Sequence, residues 1–110
     1  MEIFIKTSFI GFHYWSNAHQ SRDYLRYRHR HRFNIYVSCE VTHNDRDVEF
    51  HDLIEYVDQV MIKYRLNNSD NLGSCEMMAD YLYEELIKNL FKIIEVRIDE
   101  DDECGAIKRR

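Results

Sequence analysis

The chain has 110 residues, 45% of them apolar, enough to bury one domain core but not two. With 15 basic against 20 acidic residues its net charge is −5, a poor start for generic nucleic-acid binding. Three cysteines (Cys39, Cys75, Cys104) at scattered spacings exclude a disulfide framework and a cysteine zinc motif, and fit a reducing cytoplasm. Met1 to Phe12 alternates polar with apolar instead of forming a signal peptide, and no apolar run approaches the ~20 residues that cross a bilayer. No proline, three glycines, no repeat and no linker leave one compact domain over residues 1–110 as the expectation.

From Glu2 to Trp15 the odd positions read Ile3, Ile5, Thr7, Phe9, Gly11, His13 and Trp15, which predicts a long strand with its core face at odd positions. A polar turn follows around Ser16 to Asp23. Tyr27 to Val41 alternates more cleanly, with His29, His31, Phe33, Ile35, Val37 and Cys39 on one face. Arg28, Arg30, Arg32, Asn34, Tyr36 and Glu40 fall on the other, the pattern of a half-buried antiparallel strand.

The period then lengthens. Leu53, Ile54, Val57, Met61 and Tyr64 recur every three or four residues, which predicts a helix from about Glu49 to Arg65 with acids in its first turn. Asn67 to Gly73 is rich in turn formers. Ser74 is a suitable N-cap for a second helix carrying Met78, Tyr81, Leu82 and Leu86. Ile94, Val96 and Ile98 alternate again, and Gly105 to Lys108 predicts a short closing strand after the acidic run Asp99 to Glu103. The order is ββααββ, an α+β architecture of one antiparallel sheet with two helices on one face.

His29 and His31 leave the same face ~7 Å apart along their strand. An antiparallel hairpin sets His13, near the end of the first strand, beside them. Three imidazoles are the set that a catalytic-type zinc site uses while keeping its fourth position open. Taken alone, H-x-H among six histidines is a weak signal, and histidines satisfied by water or backbone at the strand mouth fit as well.

Longer segments carry a resemblance. Phe9-Ile10-Gly11-Phe12-His13 is similar to F-x-A-A-H, and His29-Arg30-His31-Arg32-Phe33 to H-G-H-x-F/Y, of the 6-pyruvoyl and 6-carboxy tetrahydropterin synthases. Asp47 to Leu53, Leu66-Asn67, Ser74 to Ala79, Val96 to Glu100 and Gly105 to Ile107 resemble further family segments in order, over nearly the whole chain. The resemblance implies a tunnelling fold (T-fold), Zn²⁺ on His13, His29 and His31, and a homo-oligomer, a hexamer of two stacked trimers. It also implies a pterin- or purine-nucleotide-like ligand anchored by Glu100, with Ser74, Cys75 and Glu76 beside it. A carboxylate accepts paired hydrogen bonds from a 2-amino-pyrimidinone edge. Without the resemblance, Glu100 reads as the first member of a solvated acidic turn.

The family's proton-transfer positions fall on Leu25, Ile62 and Lys63, none suited to moving a proton at neutral pH. The expectation is therefore a binding protein without turnover, such as a sequestering protein of the kind a virus encodes; the alternative is an active zinc-dependent lyase acting on dihydroneopterin triphosphate. Tyr27, Cys75 and Asp70 are the candidate substitutes for the missing groups. Arg26 to Arg32 reads either as a solvated face or as phosphate ligands across a subunit interface. A nucleic-acid hairpin built on it is disfavoured by Glu40 on the same strand face.

Overall fold

The computed structural model describes all residues from Met1 to Arg110. Strands β1 (Glu2–His13), β2 (His29–Glu40), β3 (Ile93–Glu100) and β4 (Cys104–Arg109) form one antiparallel sheet in the order β1-β2-β3-β4. Helices α1 (Phe50–Asn67) and α2 (Cys75–Lys88) lie in the chain between β2 and β3. The result is an α+β fold. Ile5 and Phe9 of β1, the odd residues Phe33 to Cys39 of β2, and Ile93, Val96 and Ile98 of β3 are buried in one cluster. The same cluster holds Leu53, Val57, Met61 and Tyr64 of α1 and Met78, Leu82 and Leu86 of α2. Each large apolar side chain removed from water there contributes ~1.5–3 kcal/mol.

The strand and helix periods in the sequence locate these elements to within two residues at either end. β1 stops at His13 rather than Trp15 and β2 starts at His29 rather than Tyr27. Glu49 is the N-cap of α1, its carboxylate accepting from the Asp52 N–H at 3.0 Å, and Ser74 caps α2 through the Met77 N–H at 3.1 Å. One element was not expected. Residues Gln20–Arg26 form a short 3-10 segment, kinked at Arg22 (φ −129°), where the sequence predicts only a polar turn. Its capping by His19 and its tight i to i+3 pattern leave no apolar periodicity for a sequence to display.

Between the helices, the loop is tied onto the end of β1. The Leu72 N–H donates to the Phe12 carbonyl at 3.2 Å, and the Asn71 amide both accepts from the Tyr14 N–H and donates to the Tyr14 carbonyl, each at 3.0 Å. Tyr64 adds its hydroxyl to the Leu72 carbonyl at 2.6 Å from inside the core. Leu72 is thereby buried over Gly11. A β-carbon at Gly11 would collide with the Leu72 side chain and crowd Phe9 and Phe33 at 3.2 and 3.3 Å. Gly11→Ala is therefore expected to cost ~1–3 kcal/mol of stability, the usual range for overpacking, measured as a lowered urea midpoint at unchanged slope; an unchanged midpoint would show that Leu72 swings aside freely.

Candidate metal centre

Antiparallel register builds the site. His13 is directly opposite His29 across the β1–β2 ladder, and Gly11 is opposite His31. The place a side chain at Gly11 would take is filled by Leu72, with Phe9 and Phe33 beside it, so the floor under the site is apolar. The three ring centroids are 4.5, 5.0 and 4.9 Å apart, with planes crossing at 65° to 89°. One ligand atom from each of His13, His29 and His31 lies within 4.8 Å of the others, close enough for the three to bind a metal ion. His13 is buried; His29 and His31 are half-buried.

Each ring is held through its Nδ1. His13 Nδ1 sits 2.7 Å from the Gly73 carbonyl, His29 Nδ1 2.7 Å from the Tyr27 carbonyl, and His31 Nδ1 2.6 Å from the Asp101 carboxylate. All three partners are acceptors, so Nδ1 carries the proton in each ring and the Nε2 lone pair is free. Such fixing of tautomer and orientation by a second partner is what metal-bound imidazoles need. Gly73 supplies its carbonyl from a left-handed conformation at φ +81°, where a β-carbon would also sit 2.9 Å from the Met77 sulfur.

Glu100 closes the cluster from β3. Its register partner is Phe33, the next core residue after His31 on β2, so its carboxylate reaches the triad from the side. Oε1 is 3.3 Å from His13 Nε2 and Oε2 is 3.7 Å from His31 Nε2. A carboxylate facing two nitrogen lone pairs is repelled unless a proton or a cation sits between them. Burial lowers the His13 pKa from its ordinary value of 6.5; its bond to Gly73 and the Glu100 charge oppose the shift, and the neighbouring His29 and His31 reinforce it. In the metal-free protein, acid therefore weakens the fold, because as the pH falls through 6.5 the unfolded chain takes up this proton before the folded one does.

The remaining expected residues fall at different distances from this cluster. The Cys75 thiol, buried at the start of α2, donates to Glu100 Oε1 at 3.9 Å, and burial first and the Glu100 charge second push its pKa up to about 12. Ser74 uses its hydroxyl to cap α2, and Glu76 is exposed in the first helical turn. Ile62 and Lys63 are exposed on α1. Leu25 is half-buried in the 3-10 helix, its carbonyl accepting from the Trp15 N–H at 2.7 Å. Of the candidate substitutes, Tyr27 is exposed and gives its carbonyl to His29, while Asp70 accepts from the Tyr14 hydroxyl at 3.2 Å.

Asp101 was missed. In the sequence it is one of five consecutive acids that read as a solvated turn. In the fold it adopts φ +56°, accepts from the Arg32 N–H at 2.8 Å through Oδ1, and takes His31 Nδ1 on Oδ2. Those two hydrogen bonds, His31 first, hold its carboxyl below the usual carboxylate range. Its place directly after Glu100 is the one signal a sequence offers. Two of the three ring partners are backbone carbonyls, which leave no trace in side-chain identity.

No family model matches the chain, and no curated protein matches it. The site therefore stands on its own geometry. Asp101→Asn keeps the shape but replaces the carboxylate on His31 Nδ1, and losses of such partners cost 10- to 100-fold in metal affinity. Chelator competition on the variant is expected to show a drop in that range; equal affinity in variant and wild type would remove Asp101 from the metal site.

Proposed function

We propose that the chain is a T-fold protein of the tetrahydropterin-synthase type that holds zinc on His13, His29 and His31 and binds a pterin- or purine-nucleotide-like ligand on Glu100 without turning it over. The observation that carries this is the shared arrangement of the three rings: every Nδ1 is committed to an acceptor, so three Nε2 lone pairs are left, two of them beside the Glu100 carboxylate. Three neutral nitrogens with one position left for a ligand are the donor set of a zinc site open to small molecules. Bound there, the ion would supply Lewis-acid polarisation of a ligand oxygen or nitrogen.

The chain's own groups favour binding over chemistry. The Glu100 carboxylate, if it meets an amino-pyrimidinone edge, would accept paired hydrogen bonds from it. Cys75, with its pKa near 12, remains a thiol at neutral pH and serves as a donor to Glu100, not as a base. Asp101 is committed to His31 and the Arg32 backbone. Leucine at 25 and isoleucine at 62 have no proton to exchange, and Lys63 is exposed on α1. Each unassisted proton transfer costs about 10²- to 10⁴-fold in rate.

Open edges support a homo-oligomer, proposed as a hexamer of two trimers. β1 pairs only with β2 along its twelve residues, and β4 only with β3. Joining β1 of one copy to β4 of the next removes both edges. Three free cysteines, two of them buried, suit a reducing cytoplasm, and no helix is long and apolar enough to cross a membrane.

Metal analysis is expected to find about one zinc per chain in the wild type and none in His29→Ala or His31→Ala; full occupancy in both variants would refute the site. Calorimetry with GTP-derived pterins and guanine nucleotides should show binding that Glu100→Gln weakens about ten- to more than a hundredfold, the effect of losing a charge-assisted hydrogen bond. Incubation with dihydroneopterin triphosphate should leave it intact. A tetrahydropterin product abolished by His31→Ala would establish the lyase instead. Sedimentation at micromolar concentration is expected to give a closed oligomer, and a monomer would end the ring proposal.

A further inference from the structure

The helix-free face of the sheet carries a segregated row of cations. Lys6 of β1, Arg28 just before β2, and Arg30 and Arg32 in its first half are all exposed, and none has an ion-pair partner among the protein's acids. Most acids on that face have a partner, the exception being Glu2, which lies opposite Glu40 at the end of the hairpin far from Arg28. Glu95 is held by Arg97 and Arg109, Glu40 by Arg110 at 3.3 Å, and Asp99 by the Asn34 amide at 2.9 Å. Glu40, whose place on the same strand argued against an anionic partner, lies twelve residues from Arg28 at the far end of β2 and is neutralised there. A net charge of −5 is thus an average over a surface whose signs are separated.

Two features say what kind of anion fits. From Arg28 to Tyr36, which pairs with Lys6, is eight residues, ~27 Å at ~3.4 Å per residue, too long for four cations to converge on one phosphate group. They form a rail for a polyanion. The cations are also braced: the Arg28 guanidinium lies 4.0 Å over the Phe12 ring, and Arg32 donates to the Ser8 hydroxyl at 3.1 Å. Beyond the Arg28 end of the rail, in the connection from β1 to β2, Trp15, Tyr24 and Tyr27 are 56%, 66% and 68% exposed. Exposed aromatic rings next to a basic track stack unpaired bases, whereas a flat sheet face does not enter the groove of a duplex.

We infer that this face binds single-stranded nucleic acid, its phosphates along Arg28, Arg30, Arg32 and Lys6 and its bases on Trp15, Tyr24 and Tyr27. The site is separate from the metal centre, which opens on the opposite face. The probes are fluorescein-labelled 20-mers of oligo-dT and oligo-rU and a 20-base-pair duplex, titrated by anisotropy with the metal-loaded wild-type protein. Both single strands should bind more tightly than the duplex, and the ratio between them identifies DNA or RNA. With three or four phosphates contacted, raising salt from 50 to 200 mM should weaken binding about 20- to 50-fold.

Arg28→Gln with Arg32→Gln should abolish binding, and Tyr27→Ala should weaken it about 5- to 100-fold, while Arg109→Gln at the far end of the face changes nothing. Because these arginines flank the histidines, metal content is measured on each variant. Lys6→Glu, distant from the triad, provides a second test and should weaken binding by itself. Wild-type affinity no better than ~10⁻⁴ M at 50 mM salt, equal affinity for the duplex, unchanged binding in Lys6→Glu, or full displacement by equimolar inorganic triphosphate would each overturn the inference.

Discussion

Everything at the metal centre depends on the β1–β2 register. Pairing His13 with His29, and therefore Gly11 with His31, sets two imidazoles edge to face and brings the third alongside them. A slip of β2 by one residue against β1 would turn His29 and His31 to the helix-free face, away from His13, and bring Arg30 and Arg32 into the core, a change forbidden by the burial of Phe33, Ile35 and Val37. The hydrophobic pattern that folds the sheet is thus also what aligns the ligands. Function and stability share one constraint here, and the metal end of the hairpin cannot drift without unpacking the core.

Local tethers then convert proximity into a defined electrostatic state. Gly73, Tyr27 and Asp101 come from three different connections, the α1–α2 loop, the segment before β2 and the β3–β4 turn, yet each ends at the Nδ1 of a different ring. The loop carrying Gly73 is itself fixed to β1 by Asn71, Leu72 and Tyr64, so the orientation of His13 is set by contacts that span the fold. Orienting partners spread in this way make the arrangement rigid in the absence of any ion, and rigidity of the outer partners is what preserves ligand basicity. Glu100 completes the cluster with negative charge, so a cation at the Nε2 atoms would relieve a repulsion already present.

The two faces of the sheet divide the molecule's chemistry. Odd positions of β2 bury apolar groups and half-bury His29 and His31, while Arg30 and Arg32 at even positions, with Arg28 just before the strand, point outward, so one alternating segment presents on one side two of the three histidines that could hold a metal ion and on the other a cationic track. Cation–π contacts of Arg28 with Phe12 and of Arg97 with Tyr36 keep the outer face ordered without helices to cover it. Overall acidity conceals this division because the acids concentrate elsewhere or are internally paired.

Alternation at period two and at period 3.6 was enough, in the sequence alone, to locate four strands, two helices, the core face and the convergence of His13, His29 and His31, because burial of apolar groups is decided locally by side-chain direction. Ser74 as a helix cap was legible for the same reason, since a hydroxyl before a helix has one local partner. The 3-10 helix was not, having no apolar face to reveal it. Nor was the role of Asp101: a carboxylate in an acidic run acquires a partner only when its turn, at positive φ, is folded back against β2. The carbonyls of Gly73 and Tyr27 are invisible to any sequence pattern, since every residue has one. Tertiary structure alone decided which acceptors reach which ring, because those bonds join segments up to 70 residues apart and depend on distance in space, which side-chain identity does not encode.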